Sequence, residues 1–194
     1  MIWKLQTFKK LIKEAYNGVG LTIAKKGTEY IISKDWHWKM SFDETAFQKE
    51  YKAAVIECVG ELPEAGEIIR AYKGEPNQYE LDGVCKWITD EAPAHMSDGE
   101  ITMVDVRGYR VVRGSKRLYM VNPMYLSMDR EGYVEQVGEI PLSALQLDEG
   151  EKNGCFTTNL STFKFKLRTN MSALDEDILE TLMAVDWERE DDEV

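Results

Sequence analysis

The sequence predicts an α+β protein with mostly antiparallel sheet, on three observations. Short alternating strands arrive in meanders, amphipathic helices stand at intervals, and no strict β–α–β alternation runs through the chain. With 194 residues, 43% of them hydrophobic, the chain is long enough to bury a core without disulfide staples. A single domain over 1–194 is expected, with two similar subdomains at 1–90 and 101–187 as the alternative and 188–194 as an acidic tail.

The elements follow in order. Ile2–Leu5 reads as a short strand. Thr7 is a candidate N-cap for a helix over 7–17, with Phe8, Leu11, Ile12, Ala15 and Tyr16 on one face and Asn17-Gly18 as the stop. GLTIAKKGTEYIISKDWHWKMSF then reads as three strands with turns at Lys26-Gly27 and Lys34-Asp35. In the third strand, period 2 groups Trp36, Trp38, Met40 and Phe42 on one face and His37, Lys39 and Ser41 on the other. Ser41-x-x-Glu44 has the form of a capping box and predicts a second helix near 43–59, lined by Phe47, Tyr51, Ala54, Val55 and Cys58 and ended by Gly60 and Pro63. EIIRAY (67–72) fits strand or helix, VCKWI (84–88) fits a strand, and TDEAPAHMSDGE reads as an acidic loop. ITMVDVRGYRVVRG and KRLYMVN predict a hairpin across Gly114-Ser115, closed by Asn122-Pro123, with a further turn at Asp129–Gly132. STFKFKLRT alternates as a strand, and Ser172 caps a C-terminal helix with Leu174, Ile178, Leu179, Leu182 and Val185 inside.

VGELP (59–63) and VGEIP (137–141) nearly coincide, which makes a degenerate two-fold repeat a candidate. The spacing to the preceding strands differs, and the second half has no counterpart of helix 7–17, so coincidence of two turn-forming segments is the favoured reading.

Net charge is −11, distributed as +3 over 1–60, −7 over 61–100, +1 over 101–147 and −8 over 148–194. An acidic protein repels nucleic acid and anionic membrane at long range, while a local basic face can still act at contact. Cys58, Cys85 and Cys155 show no CxxC spacing and read as reduced thiols. With no signal-like N-terminus and no apolar run long enough to span a bilayer, a cytoplasmic location and no membrane partner are expected.

No complete catalytic or cofactor motif is present. Gly18-Val19-Gly20 is only a fragment of a phosphate loop, and it follows a helix. His37 and His95 form no metal motif, and in DEGEKNG (148–154) Gly150 and Lys152 stand where a calcium loop needs oxygen ligands. Neither cofactor nor metal is expected. Asp175-Glu176-Asp177 read as first-turn acids of a helix, and catalytic carboxylates assembled only by the fold are the remaining enzyme reading.

Two basic groupings are candidate nucleic-acid contacts. Arg107, Arg110, Arg113, Lys116 and Arg117 are interleaved with Tyr109 and Tyr119, which are available for stacking. Lys9, Lys10 and Lys13 on the first helix and Lys49 and Lys52 on the second form the other. The alternatives are a charged edge strand and ordinary solvated helix faces. The leading expectation is a non-catalytic cytoplasmic accessory protein that acts through macromolecular contacts, protein foremost, with homo-oligomerisation open. The second is a nucleic-acid-associated protein. In residues 1–60 the order strand, lysine-bearing helix, meander resembles the repeated unit of a processivity clamp, which implies helices turned towards DNA, an acidic outer surface and ring assembly. The second half departs from that order. The third is an acidic nucleic-acid mimic using 61–100 and 186–193.

Overall fold

A computed structural model describes residues 3–81, 96–128 and 145–185. The candidate strand 84–88, Cys85, His95, the turn at 129–132, the VGEIP segment and the acidic tail lie outside these residues. The protein is α+β. Its elements are α1 (Leu5–Asn17), β1 (Leu21–Lys26), β2 (Glu29–Lys34), β3 (Trp38–Asp43), α2 (Lys49–Val59), β4 (Glu67–Ala71), β5 (Gln78–Leu81), β6 (Ser97–Asp98), β7 (Glu100–Val106), β8 (Tyr109–Arg113), β9 (Leu118–Val121), α3 (Pro123–Leu126), β10 (Gln146–Asp148), β11 (Asn153–Thr158), β12 (Ser161–Lys166) and α4 (Ala173–Met183).

Nine strands form one sheet in the order β5-β4-β1-β2-β3-β12-β11-β10-β6. Two meanders, β1–β3 and β10–β12, meet through their last strands, with Met40 opposite Phe163 and Lys39 opposite Lys164. The sheet is thus arranged meander against meander about the β3–β12 pair. Alternation sends Trp38, Met40 and Phe42 of β3 and Phe163 and Phe165 of β12 into the core, where Phe8, Leu11 and Ile12 of α1 and Tyr51 and Val55 of α2 cover them. Gly154 is required at its place, since a Cβ there would lie 2.4 Å from the Phe165 ring.

The second sheet, β7-β8-β9, has two apolar faces. Val112, Tyr119 and Val121 join the main core, while Val111, Leu118 and Met120 pack against Leu179 of α4, with Ile178 and Leu182 beside it. Arg107 and Gly108 both take positive φ (50° and 81°), so a two-residue turn of the right hand for a hairpin separates β7 from β8.

Local differences from the sequence expectations have identifiable causes. The second helix begins at Lys49 instead of near 43, because Asp43 accepts from the Thr45 N–H (2.9 Å) and Glu44 reaches Lys25 (3.1 Å), so no capping box forms with Ser41. The first helix starts at Leu5, and Thr7 lies within it, its hydroxyl donating to the Ser127 carbonyl. Trp3 is a core residue and not part of a strand. Its indole N–H donates to Ser161 Oγ (2.7 Å), and its backbone N–H and C=O both engage the Tyr51 hydroxyl. Trp36 leaves the Trp38 row and stands in the turn before β3, because Asp35 in the left-handed region (φ 44°) redirects the chain. Ser172 caps α4 as expected, in a capping box with Asp175, but Leu174 and Val185 remain exposed.

Candidate functional site

The five cations around β8 do not form one surface. Arg107, on the β7–β8 turn, sits 3.3 Å from the fully buried carboxylate of Asp175, which Arg168 approaches from its other oxygen at 3.6 Å. Hydrogen bonds from the Ser172 backbone and hydroxyl, then the two arginines, hold the Asp175 carboxyl below the usual range. Arg168 also lies over the Tyr109 ring (4.4 Å), so that aromatic face is occupied within the chain. Arg110 is committed to β7. It contacts Asp105 at 2.6 Å and donates to the Thr102 carbonyl at 3.1 Å. Arg117 stacks on Tyr119 and donates to its hydroxyl (2.9 Å), and that hydroxyl in turn donates to Glu149 (3.0 Å). Glu149 also accepts from the Ser115 N–H and hydroxyl, both at 2.7 Å. Burial pushes the Glu149 carboxyl up, but these bonds outweigh it and hold the group below its ordinary value. Arg113 and Lys116 form no ion pair among the described residues.

The helix lysines divide as well. α1 and α2 lie side by side, and Lys13 bridges them to Glu57 (3.0 Å), with Lys9 close enough to lower the Glu57 pKa further. Glu50 and Glu57, seven residues apart, share the side of α2 that faces the α1 lysines. Lys52 turns the other way, over the rings of Tyr30 (5.6 Å) and Phe47 (5.8 Å). Lys10 and Lys49 are exposed.

A third cationic grouping escaped the sequence reading. The turn before β3 exposes Trp36 (60%), whose indole stacks on His37 at 5.6 Å and 18°. The turn is tied to the end of β12, where the Lys166 N–H donates to the His37 carbonyl (2.9 Å). On the sheet face away from α1 and α2, Lys39 stands directly opposite Lys164, with Lys166 two residues further on. These three lysines, Trp36, His37 and Trp38 line a cavity of about 50 Å³. His37 Nδ1 and Trp38 Nε1 are buried without a hydrogen-bond partner among the described residues. The cavity shares Trp36, His37, Glu151 and Lys166 with an open cleft of about 690 Å³, reached also by Tyr109, Tyr125 and Arg168. Burial pushes the Tyr125 hydroxyl up to about 12, so it stays protonated at neutral pH. In the sequence, period 2 grouped Trp36 with Trp38 and His37 with Lys39 without marking the lysine as a contact. Lys164 and Lys166 join them through a strand pairing across more than a hundred residues.

Among the described residues, no group of three or more His, Cys, Asp or Glu side chains is placed to hold a metal ion, and no helix is long and apolar enough to cross a membrane. No protein-family model matches the chain, and no curated protein matches it. Among solved structures it is similar to the DNA polymerase sliding clamp from Pseudomonas aeruginosa, at 13% identity and a TM-score of 0.35, over 90% of this chain and 63% of that one. The same clamp with ligand gives 12% and 0.35, over 90% and 64%. The DNA polymerase III subunit beta DnaN sliding clamp from Bartonella birtlesii LL-WM9 gives 11% and 0.28, over 89% and 65%. The chain thus spans just under two thirds of the length of each. A likeness this slight assigns no function.

Proposed function

We propose that this chain is a single-domain, non-catalytic accessory protein of a reducing cytoplasm that works by binding a protein partner at the outer edge of β7. The observation that carries this reading is Met103. Among the described residues β7 is the edge of its sheet, its pairing with β8 slips between Ile101 and Asp105, and Met103 in the irregular stretch is 89% exposed. Bulges at sheet edges re-aim side chains and block strand-to-strand aggregation, so this edge favours recognition through side chains over the addition of a strand. Arg110 braces the irregular segment through the Thr102 carbonyl and Asp105, and Ile101 supplies a second exposed apolar side chain. A flexible, polarisable methionine held out by a rigid support suits a protein-binding anchor. The test is affinity capture with wild type and Met103→Lys, followed by measured binding to the recovered partner. Loss of a stoichiometric partner in Met103→Lys, with unfolding unchanged, supports the reading. A partner retained equally by both proteins refutes it.

The nucleic-acid reading has one observation in its favour: α1 and α2 lie on the same side of the nine-stranded sheet, so Lys10 and Lys49 can face one partner. A clamp-like role predicts that Lys10→Glu with Lys49→Glu abolishes duplex DNA binding at low salt. Unchanged binding refutes it.

A further inference from the structure

We infer that the open cleft between the Trp36 turn and α3 is a binding site for a small organic monoanion, a carboxylate carried on a flat aromatic ring. The cleft holds about 690 Å³, within the roughly 300–1,000 Å³ usual for small-molecule sites. Segments far apart in the chain build it: the turn before β3, the end of β12 with the residues after it, and α3 with its cap. The Lys166 N–H bond to the His37 carbonyl and the Arg168 N–H bond to the Met120 carbonyl, both 2.9 Å, fix these walls to one another.

Charge sets the sign of the ligand. Lys34, Lys166 and Arg168 line the cleft together with Glu14 and Glu151, which leaves one net positive charge. Glu14 is already engaged by Lys34. The Lys166 ammonium has three donors, gives one to the Glu151 backbone carbonyl (3.0 Å) and forms no ion pair among the described residues. Neutral groups repeat that polarity. The Asn122 side-chain oxygen accepts from the Met124 N–H (3.0 Å), so its NH2 group is the end left for a ligand. The Tyr125 hydroxyl lines the cleft without a hydrogen bond among the described residues, and burial keeps it protonated, so it serves as a donor. Donors in surplus over acceptors select an anion, and a single net charge matches a carboxylate better than a phosphate dianion. Trp36 selects the body. It is 60% exposed, lines the same cleft, and rests one indole face on His37, which leaves apolar surface for a flat ring to stack upon.

The cleft does not include the exposed side chains of the β7 edge, so this inference and the protein-partner reading stand or fall separately. The experiment is a titration of the full chain with naphthoate, followed by NMR shifts of the Trp36 indole N–H and of the Leu167 and Arg168 amides. Naphthamide and naphthyl phosphate serve as matched probes without charge and with a dianion, and circular dichroism confirms that each variant folds. Naphthoate is expected to saturate these shifts with a Kd of about 1 mM or tighter, the level that ordinary ligand efficiency gives an anion of this size. Both matched probes are expected to bind at least about tenfold more weakly. Tyr125→Phe and Lys166→Gln should each weaken naphthoate about tenfold through the loss of one charge-assisted hydrogen bond. Trp36→Ala, read through the amides, should weaken it about fivefold, with Trp36→Phe recovering most of the loss. Absence of saturation by about 10 mM naphthoate overturns the inference. So does binding within about twofold of wild type in both Tyr125→Phe and Lys166→Gln. Naphthamide or naphthyl phosphate as effective as naphthoate overturns the monoanion as ligand.

Discussion

Replacing Phe163 by alanine tests whether the two meanders are one cooperative body. Phe163 is 0% exposed at the middle of β12, opposite Met40 of β3 and Phe156 of β11. Its ring meets Phe165 at 5.3 Å, Tyr125 at 6.1 Å and Trp3 at 6.4 Å, so it touches both halves of the chain. Truncating a buried phenylalanine costs about 3–5 kcal/mol. A chain of this size has a urea m-value near the upper end of the usual range, about 3 kcal/mol per M, so the midpoint should fall by roughly 1–2 M. Unfolding would be followed by tryptophan fluorescence and far-UV circular dichroism, with amide exchange read separately over β1–β3 and β10–β12. One domain predicts that all probes shift together and that exchange rises equally in both meanders. A first meander that keeps wild-type protection while the second loses its own would refute single-domain cooperativity and favour division into 1–90 and 101–187.

Further expectations concern single contacts. The Glu149 pKa is depressed in the folded state, so its stabilising contribution is complete above the ordinary value of 4.5 and is lost as pH falls through the folded value. Glu149→Gln should therefore lower stability at neutral pH and flatten the acid limb of the stability curve, and an unchanged acid limb would refute that assignment. Asp175→Asn should leave Arg107 and Arg168 without their shared carboxylate and raise amide exchange over α4, leaving β1–β3 unaffected. Gly154→Ala should destabilise by about 1–3 kcal/mol through the clash with Phe165, visible as a lower melting temperature.

The legible part of this fold was the part with local periodicity. α1, the β1–β3 meander, β12 and α4 each announce themselves through period 3.6 or period 2, and Ser172 marks its helix start by chemistry that acts within three residues. β10 and β11 do not. The first is three residues long, and β11 (NGCFTT) is buried at five of six positions, so it lacks alternation. The β7–β8 turn was hidden because arginine rarely takes positive φ, and Arg107-Gly108 lacks the asparagine or aspartate that signals such turns. The site was less legible still. Capping logic at Ser41-x-x-Glu44 lost to Asp43 and Lys25, which were closer partners, and the lysine grouping at the Trp36 turn exists only because β3 and β12 pair.

That pairing places the core and the candidate site on the same two strands. Met40 and Phe163 are opposed on the inner face, Lys39 and Lys164 on the outer, and a slip of one residue would exchange them. Sensitivity to substitution should therefore differ sharply between adjacent residues of β12. Phe163→Ala removes core contact and leaves the cationic face in place. Lys164→Gln changes the outer face alone and should leave stability within about 0.5 kcal/mol of wild type. If Lys164→Gln instead destabilises as Phe163→Ala does, Lys164 supports the sheet and the division of labour between the two faces fails.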